Sequence, residues 1–176
     1  MHISESMRYF SGVMWCIFTI FGATGNLLII LAFYVNKELR KHATTKFVIS
    51  LAISDFLLCS INAPSNAILY FRDKEYELKI CQLLTFFFYA NGAVSLLNLV
   101  LITFNQYILI CHNDKYQKIY TNCKIGIMIG TIYAYVYGMV SLPLFGLWGT
   151  IAPKENKHYF CTIHSKNGNN PKVCFL

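Results

Sequence analysis

The chain has 176 residues, of which 56% are apolar and 13% are charged. Disordered chains combine low hydrophobicity with high charge, and soluble domains have about 45–50% apolar and roughly 25% charged residues. Disorder is therefore excluded, and a soluble domain is disfavoured. Seven cysteines at this length are also too sparse for a disulfide-rich miniprotein. The distribution of charge along the chain must decide the class.

Four long segments are almost free of charge. Residues 9–36, 80–113 and 125–153 contain no Asp, Glu, Lys or Arg, and in 47–71 the sole charged residue is Asp55. Each segment exceeds the roughly 20 apolar residues that a helix needs to cross a bilayer. The pattern predicts an all-α fold, an integral membrane bundle of four transmembrane helices. The first segment is too long for a cleaved signal peptide, and no basic region precedes it.

The predicted elements alternate between membrane helices and short polar segments. The third helix is the longest, which indicates tilt or extension beyond the bilayer. The tail ends in an apolar stretch, 173–176, that fits the start of a fifth helix. In chain order the elements are an N-terminal segment (1–8), helix one (9–36), a loop (37–46), helix two (47–71), a loop (72–79), helix three (80–111), a loop (112–124), helix four (125–148) and a tail (149–176).

The basic residues lie in the polar segments and give a net charge of +7. In these positions they suit lipid headgroups, and no soluble basic face remains for a nucleic-acid partner. Cytoplasmic loops are usually enriched in Lys and Arg. The two sides hold nearly equal numbers here, and only the dense loop 37–46 favours the cytosol.

Asp55 is the outlier of the second helix. A carboxylate near a helix centre costs a few kcal/mol on insertion scales, so it needs a polar interior or a partner. It is predicted to be an ion or proton site, or else a buried hydrogen-bonding node. The candidate partners are Asn26, Asn91 and Ser95, and the last two share a helix face that Asn98 extends. That polar stripe is equally compatible with simple bonding between helices.

The cysteines leave alternative pairings open. Cys81 and Cys161 can pair if both face an oxidising compartment, and Cys174 is a rival partner for either. Cys111 and Cys123 flank the loop 112–124 and are candidate palmitoylation sites. The sequence has no C-x-x-C zinc spacing, no P-loop and no nucleophile elbow. Nothing in the sequence argues for an enzyme.

Several motifs share one set of spacings. Gly25-Asn26 lies in helix one, Leu51-Ala52-Ile53-Ser54-Asp55 in helix two, and Asn105-Gln106-Tyr107 follows Cys81 by 24 residues. With the proline of helix four, they resemble the first four helices and second outer loop of a rhodopsin-family G-protein-coupled receptor, over nearly the whole chain. The segment HATTKFVISLAISDFLLCSIN (42–62) is similar to the moody-type orphan receptors of arthropods.

The resemblance implies a membrane topology. The N-terminus (1–8) and the segments 72–79 and 149–176 would be extracellular, and the loops 37–46 and 112–124 cytoplasmic, in the plasma membrane. It also implies a disulfide that ties helix three to the outer loop, between Cys81 and Cys161.

The resemblance further implies partners and sites. No cofactor is expected except an allosteric Na⁺ at Asp55, in a polar core shared with Asn26, Asn91 and Ser95. The ligand would be extracellular and is not identified. A heterotrimeric G protein would meet the cytoplasmic ends. The coupling motif would be Asn105, Gln106 and Tyr107.

Two positions depart from the family pattern. Gln106 replaces a delocalised arginine cation with a shorter neutral group, so weak coupling is expected, whereas Asn105 is shared with moody-type receptors. Tyr133 lies near the place of the helix-four tryptophan.

The number of helices leaves three hypotheses. Since receptors have seven helices, the first hypothesis is a receptor fragment that does not signal alone. A truncated isoform that dimerises with a full receptor and suppresses it is the second. The third is a non-receptor four-helix membrane protein, such as a tetraspanin-like protein. The sequence lacks the large loop that a tetraspanin carries after helix three, which argues against this hypothesis.

Overall fold

The computed structural model describes residues 4–72, 77–147, 149–153 and 161–164. Two short 3-10 turns, at Leu39–Lys41 and Leu142–Phe145, and one π-helical turn at Leu58–Asn62 connect or extend the regular elements. These elements are α1 (Glu5–Val35), α2 (Ala43–Leu57), α3 (Ala63–Arg72), α4 (Leu78–Cys111), α5 (Asn113–Ile119), α6 (Asn122–Ser141), β1 (Thr150–Pro153) and β2 (Cys161–His164).

Four helical spans in the described residues are long and apolar enough to cross a membrane. The second span consists of α2, the π turn and α3 without interruption. The finding confirms the predicted all-α membrane bundle of four helices. The spans are Glu5–Val35, Ala43–Arg72, Leu78–Cys111 and Asn122–Phe145.

The helices begin earlier than the charge-free segments. The Ser4 hydroxyl accepts a bond from the Met7 amide at 3.3 Å, and so α1 begins at Glu5 rather than at 9. The second span begins at Ala43, not 47, and α4 at Leu78, not 80. Charged side chains are tolerated in these end turns, because long side chains reach the headgroup layer. The charge-free segments therefore indicate the part of each helix in the membrane core, and the helices themselves extend beyond them.

The predicted loop 112–124 contains a short helix. α5 spans Asn113–Ile119 and carries Asp114 in its first turn, where a negative charge suits the helix dipole. The Thr121 hydroxyl accepts from the Lys124 amide at 3.4 Å and caps α6, which begins at Asn122 rather than 125. The Thr121 cap accounts for the early start of α6, whereas α5 has no side-chain cap.

The fourth span ends before the predicted residue 148. α6 ends at Ser141, and a 3-10 turn carries the chain to Phe145. Pro143 has no amide hydrogen for a continuing helix, and Gly146 adopts a left-handed φ of 68°, which favours glycine. Together they turn the chain out of the helix.

The tail, predicted as a loop, contains an antiparallel hairpin. β1 pairs with β2 so that Ile151 lies opposite Ile163 and Pro153 opposite Cys161. Buried Ile151, Cys161 and Ile163 pack with Cys81 and Tyr89 of α4 and with Leu144 of the 3-10 turn. The predicted start of a fifth helix, 173–176, lies outside the described residues.

The bundle has small and polar residues inside and large apolar residues outside. The α2–α3 span packs between α1 and α4, and α6 packs on α4 and α2. Ala52, Ser54 and Ala90 are fully or almost fully buried, whereas Phe21 on α1 is 72% exposed and Leu96 on α4 is 67% exposed. Close packing through small residues, with apolar side chains toward lipid, is typical of membrane helices.

Candidate functional site

A hydrogen-bonded polar cluster lies between α2 and α4. The Ser95 hydroxyl lies 2.5 Å from Asp55 Oδ1, 3.0 Å from the Ser54 hydroxyl and 2.9 Å from the Asn91 carbonyl oxygen. An ionised carboxylate only accepts, and a serine hydroxyl has a single proton to donate. Ser95 therefore donates to Asp55, and the Ser54 hydroxyl, which also donates to the Leu51 carbonyl at 2.8 Å, lies in polar contact with it. This chain of bonds joins the second and third membrane spans.

The other predicted partners of Asp55 bond elsewhere. The Asn91 side chain is buried and its Oδ1 accepts from the Tyr137 hydroxyl of α6 at 3.0 Å. The Asn26 amide donates to the Gly22 carbonyl of its own helix at 2.9 Å and does not join the described bonds of the cluster. Asn98 is fully buried and donates to the Val94 carbonyl. Of the predicted set, Ser95 alone bonds directly to the carboxylate in the described structure.

The cluster offers oxygen atoms that suit a hard cation. Asp55 contributes a carboxylate, and Ser54 and Ser95 contribute hydroxyl oxygens that already lie within bonding distance of each other. Hard cations such as Mg²⁺ and Ca²⁺ prefer oxygen ligands, and Na⁺ shares this preference. The donor chemistry at Asp55 and Ser95 fits the expected sodium ion, whereas Asn26 lies outside the cluster.

Asn105, at the carboxyl end of α4, joins three helices. Its side chain is fully buried, its Nδ2 lies 2.6 Å from the Thr44 hydroxyl oxygen of α2, and its Oδ1 accepts from the Tyr116 hydroxyl of α5 at 3.1 Å. The amide thus uses both its donor and its acceptor. These bonds hold α5 against the bundle at this end.

The two neighbours of Asn105 in the motif face outward. Gln106 is exposed and Tyr107 is 50% exposed, and both lie near the end of the bundle that carries α5. Tyr120 packs edge-on against Phe47 beneath α5. Burial there raises the pKa of Tyr120, and the adjacent Tyr116 raises it further.

A disulfide fixes the hairpin over the opposite end of the bundle. Cys81, at the start of α4, is bonded to Cys161 of β2, with Cα atoms 5.9 Å apart. Gln82 donates to the Ile151 carbonyl at 3.0 Å, and Thr85 to the Cys161 carbonyl at 3.5 Å. The predicted pairing of Cys81 with Cys161 is confirmed. The rival Cys174 lies outside the described residues.

A cavity of about 120 Å³ lies beneath the disulfide, between α1, α3 and α4. Asn62, at the end of the π turn, lines it and donates to the Leu84 carbonyl at 2.6 Å. Asn66, one turn later, donates to the Asn62 carbonyl at 2.9 Å. The side-chain oxygen of Asn62, Oδ1, is buried and has no hydrogen-bond partner in the described part of the chain.

Sequence reasoning missed several of these residues. Thr44 and Tyr116 bond Asn105, and Tyr137 bonds Asn91, yet none of the three was predicted as a site residue. Asn62 had a usable signal, since an asparagine four residues before Asn66 in an apolar span places two amides on one helix face.

The comparisons with known proteins agree with this geometry. The family model described as 7 transmembrane receptor (rhodopsin family) matches residues 25–175. The chain belongs to the rhodopsin family of seven-transmembrane receptors. This family is not an enzyme class, and the chain is a multi-pass membrane protein.

Individual relatives support the narrower resemblance. The chain is 37% identical over 169 residues to Protein trapped in endoderm-1 of Drosophila melanogaster, covering 96% of this chain and 43% of the relative. It is 32% identical over 171 residues to the G-protein coupled receptor moody of Drosophila pseudoobscura pseudoobscura, covering 97% of this chain and 25% of the relative. The resemblance to moody-type receptors is confirmed. The chain spans less than half the length of these relatives.

The fold also matches a solved receptor structure. Squid rhodopsin superposes with a TM-score of 0.82 at 24% identity, covering 93% of this chain and 44% of that chain. At this identity the match concerns the fold. The bundle is therefore arranged as in part of a seven-helix receptor.

Proposed function

We propose that this chain supplies the first four transmembrane helices of a G-protein-coupled receptor, which binds an extracellular ligand and signals to a heterotrimeric G protein. The observation that carries the proposal is the Asp55 carboxylate, bonded to Ser95 inside an apolar span. Intramembrane carboxylates are rare and mark functional sites. The ligand would bind one of two bundle conformations more tightly and shift their populations.

The disulfide supports the proposed orientation. Structural disulfides persist outside the cell and are rare in the cytosol, so the end of the bundle that carries Cys81 and Cys161 would face outward in the plasma membrane. The N-terminus of α1 would then also be extracellular, because α1 and α4 begin at the same side. Cys111 and Cys123, at the opposite end, are free thiols, as expected on the cytosolic side.

Asp55 and Ser95 would hold the sodium ion. A bound cation compensates the carboxylate charge and stabilises the conformation that keeps both oxygens close together. Ligand binding would favour the other conformation, in which the two helices shift. The sodium ion would in this way stabilise the resting state.

The cytoplasmic end would meet the G protein at the motif around Gln106. The exposed side chain lies where a family member carries an arginine, and a neutral amide cannot replace a cation with five donors. Asn105 keeps the adjoining helices in place through Thr44 and Tyr116. We therefore expect this surface to be formed and its coupling to be weak.

A chimera tests the proposal. The chimera joins this chain, ending at Leu176, to the part of Protein trapped in endoderm-1 that follows the matched region. G-protein nucleotide exchange is then measured in membranes that contain it. Gln106→Arg should raise basal exchange several-fold. Gln117→Arg, the same change at an exposed position of α5, should leave exchange unchanged. Equal exchange from all three chimeras would contradict the coupling role.

A dimerising regulatory role is the competing proposal, because the chain spans less than half the length of its relatives. Co-expression of the unextended chain with full-length trapped in endoderm-1 tests it. A fall in the surface level of that receptor, absent when a soluble protein is co-expressed, would favour the regulatory role.

A further inference from the structure

A hydroxyl of α6 bonds an oxygen atom beside the polar cluster. The Tyr137 hydroxyl donates to Asn91 Oδ1 at 3.0 Å, and Asn91, which is 1% exposed, lies one turn before Ser95 on the same face of α4. The Asn91 amide is therefore a neighbour of the hydroxyl that donates to Asp55, yet its oxygen bonds the fourth membrane span. One hydrogen bond thus connects α6 to the surroundings of the proposed sodium site.

Two aromatic contacts fix the ring that carries this hydroxyl. The Tyr137 ring stacks on that of Tyr133, with centroids 6.1 Å apart, and packs edge-on against Phe86 of α4 at 5.7 Å. Both contacts are made by the ring, so a phenylalanine would keep them. The bond to Asn91 can therefore be removed without removing the packing of α6 on α4.

The bond determines which way the Asn91 amide is directed. Hard cations take amide oxygens as ligands, as they take the carboxylate of Asp55. While Tyr137 donates to Asn91 Oδ1, this oxygen is directed toward α6, and a cation at Asp55 can recruit it only by breaking the bond. Without the hydroxyl the buried oxygen would lose its donor, and rotation of the side chain toward Asp55 would give it the cation as a partner.

We propose that Tyr137 weakens the sodium site by keeping Asn91 Oδ1 away from the ion, which makes it a positioning residue for the polar core. The inference rests on the proposed sodium ion at Asp55 and Ser95, and it adds a control by the fourth membrane span. A shift of α6 on α4 that breaks the bond would strengthen sodium binding, and with it the resting state.

Sodium NMR relaxation of the chain in zwitterionic lipid nanodiscs tests the inference without any measurement of signalling. The response of Asp55→Asn gives the background from lipid and protein surface, and the remaining response is titrated with sodium for each variant. One net hydrogen bond contributes about 0.5–1.5 kcal/mol, or roughly two- to tenfold in an equilibrium constant. We expect Tyr137→Phe to raise sodium affinity by this factor, because the ion no longer has to break the bond.

Matched variants assign the gain to one oxygen atom. Tyr133→Phe is the same change one turn earlier, but its hydroxyl bonds the backbone carbonyl of Ser50 at 3.2 Å, so sodium affinity should not change. Asn91→Ala combined with Tyr137→Phe should remove the gain. Asn91→Ala alone should leave the affinity unchanged, because the oxygen is not a ligand while Tyr137 bonds it, and this variant serves if Tyr137→Phe does not fold.

Four results would overturn the inference: an unchanged or lower sodium affinity in Tyr137→Phe, an equal gain in Tyr133→Phe, a gain that survives Asn91→Ala, or a loss of affinity in Asn91→Ala alone. A purely structural role of Tyr137 predicts a lower affinity, since a looser bundle would hold the ligands less well. A response equal to that of Asp55→Asn in both the unaltered chain and Tyr137→Phe would contradict the proposed sodium site itself, and the inference with it.

Discussion

Replacing Ser95 with alanine should uncouple the second and third membrane spans. Ser95 is the node of the polar cluster, since its hydroxyl donates to Asp55 and lies 3.0 Å from the Ser54 hydroxyl. Asp55→Asn should also destabilise the bundle, because an amide oxygen is a weaker acceptor than a carboxylate oxygen. If the two side chains act through one bond, the double variant should lose less free energy of unfolding than the two single losses added together.

The expected coupling energy follows from the kind of bond. Polar contacts between membrane helices average about 0.6 kcal/mol in double-mutant cycles, with roughly 1.7 kcal/mol as the largest value. Hydrogen bonds to charged groups contribute about 1.5–3 kcal/mol in proteins generally. The Asp55 acceptor is a half-buried carboxylate inside a membrane span, so the upper part of the range for membrane helices applies. We expect a coupling of about 1.5 kcal/mol between Asp55 and Ser95.

Unfolding by SDS, followed by far-UV circular dichroism, measures the four proteins of the cycle. Ser141→Ala is the matched control, because its hydroxyl bonds only the Gly138 carbonyl of its own helix in the described structure, and it should cost less than about 0.5 kcal/mol. Additive single losses, with a coupling below about 0.5 kcal/mol, would refute the reasoning that one bond joins the two spans.

Three further sets of variants test the ends and the packing of the bundle. Cys81→Ala and Cys161→Ala should each cost about 4.5 kcal/mol on the chain-entropy model for a loop of 80 residues. The double variant should unfold at the same SDS fraction as either single variant, and additive losses would show that the two cysteines do not pair. Gly22→Ala should destabilise the bundle, because its Cβ would overlap a side chain of the second span. Gly25→Ala, with open space around its Cβ, should be neutral or stabilising. SDS unfolding measures both variants, and equal effects would contradict the packing of α1 on the second span. Asn105→Leu should loosen α5 and speed tryptic cleavage within it. Asn105→Asp should not, since a carboxylate can accept from the Tyr116 hydroxyl and from the Thr44 hydroxyl, which then donates instead of accepting. Equal cleavage of both variants would exclude the bridging role.

The membrane fold could be predicted because the bilayer acts on composition directly. Charge-free segments had to be helices, since backbone groups in lipid must bond within their own segment. The positions of the helix ends were harder to predict, because Ser4 and Thr121 extend helices through local capping bonds beyond the apolar segments. The hairpin of the tail was missed because its strands are four residues each and are held by Cys81 and the start of α4.

The polar sites could be predicted only where one helix carried the signal. Asp55 stood out as a charge in an apolar span, and Ser95 lay on a polar face of α4. The bonds of Asn91 with Tyr137 and of Asn105 with Thr44 join residues 46 and 61 positions apart. Such pairs depend on helix packing, which the pattern of a single helix does not contain.

The most direct test asks whether the polar core sets the signalling state of a receptor. It measures basal nucleotide exchange in the Gln106→Arg chimera, in sodium and in potassium at equal ionic strength. We predict slower exchange in sodium, and loss of this difference in Asp55→Asn. Asp114→Asn, the same change in the first turn of α5, should keep the difference. Exchange that responds equally to both cations before any change at Asp55, or a sodium effect that survives Asp55→Asn, would contradict the assignment.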